Sequence, residues 1–168
     1  MIRVANYCPN CGAKLIIKTH SGQQRPTCPD CDFIVYHDPK VAVIAVVIQD
    51  NRVLLVQRAN DPGKGKWACP AGFVDYDESP EDATLRELQE ETGYVGRVVR
   101  LLDVFPKKDN GLADIVIAYH VEIIGGALHP ADDADDAQWF TRDALPDLVF
   151  YPSITLIGER WRNGDLVL

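Results

Sequence analysis

Gly72-Phe-Val-Asp-Tyr-Asp-Glu78-Ser-Pro-Glu-Asp-Ala-Thr-Leu-Arg86-Glu87-Leu-Gln-Glu90-Glu91-Thr-Gly93-Tyr94 holds five glutamates and one internal arginine. On a helix each residue advances about 100°, so with Glu87 at zero Glu91 falls at about 40° and Glu90 at about 300°, a single narrow arc of the surface. Glutamates three and four apart repel one another and weaken an isolated helix. A hard divalent cation removes that conflict, and an all-oxygen donor set suits magnesium or manganese. A merely solvated acidic face would carry interspersed lysines, yet Arg86 is the only basic residue between 78 and 94.

The ends of the helix are equally legible. Ser79 is a good N-cap, Pro80 suits the first helical position, Asp82 stands three residues after the cap, and Gly93 can close the C-terminus. Leu85 and Leu88 point away from the carboxylate arc, so the helix can pack on a sheet while its glutamates look outward.

These residues carry a family resemblance. The stretch resembles the Nudix box, Gx5Ex7REUxEExGU with U a bulky apolar residue, through Gly72, Glu78, Arg86, Glu87, Glu90, Glu91 and Gly93, with Tyr94 in the last U position. The resemblance implies a Nudix α/β/α sandwich on a mixed sheet and a divalent-metal-dependent pyrophosphohydrolase. It implies magnesium (or manganese) on Glu87, Glu90 and Glu91, with the backbone carbonyl of Ala71 as a further ligand. It also implies that Arg86 and Glu78 orient the helix glutamates by ion pairing.

Four of the five cysteines form Cys8-x2-Cys11, sixteen intervening residues, then Cys28-x2-Cys31. Paired knuckles at this spacing, with Pro9, Gly12 and Pro29 beside them, read as a small zinc ribbon holding one structural zinc on four thiolates. His20 and His37 are spare, because four thiols complete the shell. Cys69 lies in an apolar run and reads as a buried small side chain rather than a nucleophile.

Charge divides the chain. Residues 1 to 40 carry Arg3, Lys14, Lys18, Arg25 and Lys40 against Asp30, Asp32 and Asp38, a net of +2, while the remainder carries −10 within an overall −8. So acidic a surface argues against a grip on nucleic acid and leaves small nucleotides as the partners, since bound cations reverse the local field. No apolar run spans a bilayer and Met1 to Asn10 lacks a secretory pattern, so a cytoplasmic protein without membrane partners is expected. A homodimer is compatible with the sequence.

Two domains are expected, residues 1–38 as the zinc ribbon and residues 39–168 as the Nudix hydrolase domain. In the second, Val41 to Gln49 is a β-branched run that reads as one buried strand, and Asp50-Asn51 turns it into a hairpin with Val53 to Arg58. Asn60 to Lys66 is a loop whose Lys64 and Lys66 could approach a phosphate but form no Walker A. Trp67 to Pro70, Gly96 to Phe105, Ile115 to Ile124 and Ala137 to Thr141 read as strands, and Asp143 to Leu148 and Ser153 to Arg162 as helices.

Asp136-Ala-Gln-Trp139 resembles the carboxylate-Ala-x-Trp element of zinc-ribbon Nudix enzymes such as NADH pyrophosphatases, which makes Asp136 a candidate further ligand or general base. Those enzymes carry a Ser-Gln-Pro-Trp-Pro-Phe-Pro-like signature after the box. This chain has Leu102-Asp-Val-Phe105-Pro106-Lys107-Lys108-Asp instead, and its layout is similar to FAD or ADP-ribose pyrophosphatases as well. Arg58, Phe73 and Tyr76 are the candidate substrate-binding residues, with Phe105 a further ring that could stack on a base. The expected substrate is therefore a nucleoside diphosphate linked to another group, of the ADP-ribose, FAD or NADH type. The alternatives are a nucleoside triphosphate pyrophosphohydrolase and a non-catalytic nucleotide-sensing module.

Overall fold

Each Cys-x2-Cys pair closes a tight turn. Cys8 N–H donates to Ala13 O at 2.8 Å and Cys28 N–H to Phe33 O at 2.8 Å, while Gly12 (φ 78°) and Asp32 (φ 56°), each just past the second cysteine of its pair, take the left-handed conformation. The computed structural model describes residues 5–106, 113–166 and 168. The chain falls into two units, Met1–Asp38 and Pro39–Leu168.

In the first unit a hairpin of β1 (Ile16–His20) and β2 (Gln23–Thr27) links the two knuckles. The Sγ atoms of Cys8, Cys11, Cys28 and Cys31 all lie within 4.8 Å of one another, with 3.7 Å from Cys8 to Cys31 and 3.4 Å from Cys11 to Cys28. Tetrahedral zinc with bonds of about 2.3 Å sets its sulfurs about 3.8 Å apart, so the four thiols fit that ion. All five cysteines are free. His20 is engaged elsewhere, its Nε2 lying 2.8 Å from Thr27 Oγ1.

In the second unit the β-branched run makes β3 (Val41–Val46), which buries both faces. Ile44 and Val46 face one apolar cluster with Leu156, Ile157 and Trp161, and Val43 and Ala45 face another with Ala83 and Leu88. Such two-sided burial is what a strand between two layers requires. The strand expected as continuous to Gln49 divides at Val47. Asp50 (φ 50°) and Asn51 (φ 57°) form a two-residue turn that lays β4 (Ile48–Gln49) on β5 (Arg52–Arg58), so the chain leaves the first sheet for a second.

Two short strands, β6 (Trp67–Ala68) and β7 (Ala71–Phe73), precede the helix α1 (Pro80–Thr92). Then come β8 (Tyr94–Pro106), β9 (Ile115–Gly126) and β10 (Ala134–Thr141). One sheet runs β7-β3-β9-β8 and is mixed, with β3 parallel to β9. The other is antiparallel in the order β10-β5-β4, with β6 also on β5. The α/β/α layering and the mixed sheet agree with the fold expected from the resemblance.

The helix α1 forms as its end signals dictate. Ser79 Oγ accepts the Asp82 amide at 3.1 Å, and Gly93 (φ 74°) returns its amide to Gln89 O. Leu88 is fully buried under it.

The brief helix expected at Asp143–Leu148 shrinks to the 3-10 turn Arg142–Ala144. Leu145, pushed into extended backbone ahead of Pro146, ends it. The last segment begins as an α turn, Tyr151–Ser153, and continues as a π-helix, Ile154–Trp161. Bonding from i to i+5 widens each turn, which is why Leu156 and Trp161, five residues apart, share one buried cluster. Among the described residues no helix is long and apolar enough to cross a membrane.

Candidate active site

Arg86 organises the outward face of α1. Its Nε donates to Glu78 Oε2 at 3.1 Å and Nη2 to Glu78 Oε1 at 2.6 Å, while Nη1 reaches Glu87 Oε1 at 2.7 Å and Glu90 Oε2 at 2.9 Å. The remaining Nη2 proton goes to Phe73 O at 3.0 Å, so all five guanidinium N–H groups have acceptors. One side chain thereby fixes two helix glutamates, the Glu78 loop and the end of β7. The paired guanidinium holds the Glu78 carboxyl far below the usual range, at about 2, and the same contacts raise the pKa of Arg86.

Glu91, only 3% exposed, turns toward the sheet, where its Oε2 accepts the Ala71 amide at 3.0 Å. Burial pushes its carboxyl up to about 8. The Ala71 amide and Arg58 oppose that shift, whereas Glu87 and Asp133 add to it. Burial raises Glu87 too, and Glu90 and Asp132 act on it in the same direction.

Carboxylates crowded and drawn from water in this way are unstable as anions without a counter-charge. An all-oxygen set of this kind fits a hard divalent cation. Gly72 makes the arrangement possible: a Cβ there would fall on the Glu87 carboxyl group.

Beside these carboxylates lies a cavity of about 300 Å³, walled by β3, β5, β7 and the start of the C-terminal helix. Ala71, Gly72, Phe73 and Glu91 line one side, and Arg58, Asp133 and Phe150 another. Asp133 is held there by Asn60, whose Nδ2 donates to Oδ1 at 2.8 Å, and by the Ala59 amide, which donates to its carbonyl at 2.9 Å. The Arg58 guanidinium lies 4.7 Å from the Phe150 ring centroid, and its Nε donates to Pro62 O at 3.0 Å. The Lys40 ammonium similarly stands 5.0 Å from the Phe73 ring centroid.

Three comparisons bear on this geometry. The model of the NUDIX domain matches residues 38–155. The chain belongs to the Nudix family. It is a Nudix hydrolase 41% identical over 133 residues to an ADP-ribose pyrophosphatase of Methanocaldococcus jannaschii, covering 77% of this chain and 79% of that one. It is 32% identical over 149 residues to the NAD-capped RNA hydrolase NudC of Pseudomonas aeruginosa, covering 88% of this chain but only 52% of that relative's length. A crystal structure of a NUDIX hydrolase from Nitrosomonas europaea superposes with a TM-score of 0.84 at 26% identity, over 95% of this chain and 91% of that one.

Within this Nudix site the residues singled out from sequence are not all brought together. Glu78, Arg86, Glu87 and Glu90 form one bonded set, and Glu91, Ala71, Arg58 and Phe73 share the cavity wall. Tyr76 is fully exposed in the loop before α1. Asp136 lies on β10 opposite Gln57, its Oδ1 accepting the Ala137 amide at 2.7 Å and its Oδ2 the Gln138 side chain at 2.6 Å. Phe105 is buried, yet it too lines the cavity, where it meets Tyr151 edge to face at 5.5 Å between centroids. Lys66 is tied to Asp147 at 3.1 Å. The signature comparison at Lys107, Lys108 and Asp109 lies outside the described residues.

Asp133 and Phe150 were not singled out from the sequence. Asp133 belongs to the acidic run Asp132-Asp133-Ala134-Asp135-Asp136, and a bulge between Ala134 and Asp136 decides which carboxylate of that run faces where. Nothing in the local sequence marks Phe150, which reaches the cavity through tertiary placement alone. Cys69 also lines the cavity, but burial pushes its thiol up to about 12, which removes it as a nucleophile.

Proposed function

We propose that this chain hydrolyses the pyrophosphate bond of a nucleoside diphosphate linked to a second group, of the ADP-ribose, FAD or NADH type. Magnesium or manganese would be held by Glu87, Glu90 and Glu91, and one zinc by the four clustered thiols as a structural ion. The observation that carries this reading is the joining of two features. The Arg86-bound glutamates adjoin a cavity that is mostly apolar, yet bears Glu91, Asp133 and Arg58 in its wall. The names of the relatives from M. jannaschii and P. aeruginosa point to ADP-ribose and NAD, two compounds in which a diphosphate joins two bulky groups.

Glu87, Glu90 and Glu91 would hold a divalent cation that, when bound, would neutralise charge at the diphosphate and make water a stronger nucleophile near neutral pH. The protein's own residues supply the frame. Arg86 and the Ala71 amide hold the glutamate arms in place before substrate arrives, so little reorganisation accompanies reaction. Arg58 brings a further positive charge to the cavity wall that also carries Glu91 and Asp133. The apolar surface of Ile44, Val56, Ala68 and Val116 excludes water and strengthens every charge interaction nearby.

The test is phosphate release with magnesium or manganese across ADP-ribose, FAD, NADH, diadenosine polyphosphates and nucleoside triphosphates. One of the first three is expected to give the highest kcat/KM. A nucleoside triphosphate exceeding all three by tenfold, about 1.4 kcal/mol of transition-state binding, would assign the chain to triphosphate hydrolysis instead.

A further inference from the structure

Phe150 has φ 65° and ψ 135°, a positive-φ conformation outside the helical regions that a bulky aromatic residue adopts only when its surroundings enforce it. The enforcement is visible. Trp67 N–H donates to Asp147 O at 3.0 Å and Val149 N–H to Trp67 O at 2.8 Å, lacing the segment before Phe150 onto β6, and Pro152 follows in the first turn of the helix. The result of the strain is one contact: the Phe150 ring lies 4.7 Å from the Arg58 guanidinium, and both residues line the cavity.

Arg58 is also held by the carbonyls of Pro62, at 3.0 Å from Nε, and Asn60, at 3.4 Å from Nη2. Three of its five N–H groups, both on Nη1 among them, have no acceptor among the described residues. A flexible cation is thus held with unused donors at the cavity wall, and Arg58 is near enough to Glu91 for its charge to favour that carboxylate's ionised form.

We propose that Phe150 is a positioning residue for substrate binding. Its strained ring holds the Arg58 guanidinium so that the unused N–H groups meet the diphosphate of the substrate at the cavity wall. This rests on the function proposed above and deepens it, since it assigns the binding of the substrate's diphosphate to one aromatic–cation pair. An ordered guanidinium loses less freedom on binding, so its effect falls on substrate affinity and leaves the chemical step at the helix glutamates unchanged.

The test compares wild type with Phe150→Leu, Phe150→Gly and Phe150→Tyr. Glycine accepts φ 65° without strain, so that variant removes the ring while favouring the native backbone. KM for ADP-ribose should rise about tenfold in the leucine and glycine variants with kcat within about twofold, and tyrosine should restore wild-type KM. Titration calorimetry of ADP-ribose without divalent metal should show the same loss of affinity.

Equal ADP-ribose affinity in wild type and Phe150→Gly would overturn the inference, as would a fall in kcat at constant KM. Turnover of nucleoside triphosphates alone would instead overturn the proposed function. The calorimetric comparison would still decide the role of Phe150.

Discussion

Gly72 and Glu87 occupy the same space: the position a Cβ on residue 72 would take is filled by the Glu87 carboxyl group. The glycine of β7 is therefore a seat for a glutamate of α1, and the backbone of residue 72 needs no left-handed conformation to explain it.

Gly72→Ala should therefore act on the site and spare the fold. The methyl group would expel the Glu87 carboxyl and with it one side of the Arg86 network, while β7 keeps its pairing with β3. Displacement of a catalytic group by about 1 Å costs on the order of a hundredfold in rate, so kcat should drop by about that factor. Steady-state kinetics beside a thermal melt checks it, and wild-type kcat in a folded variant would show that Glu87 can work from elsewhere.

Glu90→Gln should lower kcat by orders of magnitude without unfolding the chain, because the exposed end of α1 tolerates an amide whereas a cation held there loses a charged partner. The change also removes one charged acceptor from Arg86, whose other contacts to Glu78, Glu87 and Phe73 O remain to hold the loop. Turnover at saturating magnesium is the deciding measurement, and a near-wild-type value would remove Glu90 from the site.

The Glu78–Arg86 pair predicts acid sensitivity of a definite sign. The folded carboxyl sits at about 2, below its ordinary value, because the guanidinium and the Asp75 amide favour the ionised form. Its stabilisation is therefore complete above the unfolded pKa of about 4.5 and is lost as pH falls through about 2. Melting curves of wild type and Glu78→Gln should differ above pH 5 and converge toward pH 2. A constant gap across that range would assign the difference to packing.

How much of this was legible in sequence depends on the range of the interaction concerned. The ends of α1 were readable because Ser79, Asp82 and Gly93 act within a turn of themselves, and the glutamate arc followed from helical periodicity alone. The four thiols were readable because two knuckles of fixed spacing declare their own chemistry.

Other features depend on partners distant in the chain. Val47 is as β-branched as its neighbours, and only the two-residue turn at Asp50-Asn51 transfers the next residues to another sheet. The π-helix widens to seat Leu156 and Trp161 in one core, against the α periodicity expected of it. Phe150 meets Arg58 across 92 positions, a contact that no local pattern announces.

The two classes of cysteine should separate by reactivity. Cys8, Cys11, Cys28 and Cys31 gather at zinc-compatible distances, and Cys11 and Cys31 are exposed, so a metal-replete preparation should contain about one zinc per chain and protect these thiols. Cys69 is protected for another reason, being 1% exposed and pushed up to about 12 by burial, so almost none of it is thiolate at pH 8. Treatment with a chelator followed by an alkylating reagent at pH 8 should label four cysteines and leave Cys69 unmodified until denaturant is added. Mass spectrometry of the peptides distinguishes the cases. Labelling of all four thiols at the same rate before and after chelation, with no zinc by elemental analysis, would remove the metal from the first unit. Early labelling of Cys69 would show that the cavity wall opens far enough to admit the reagent.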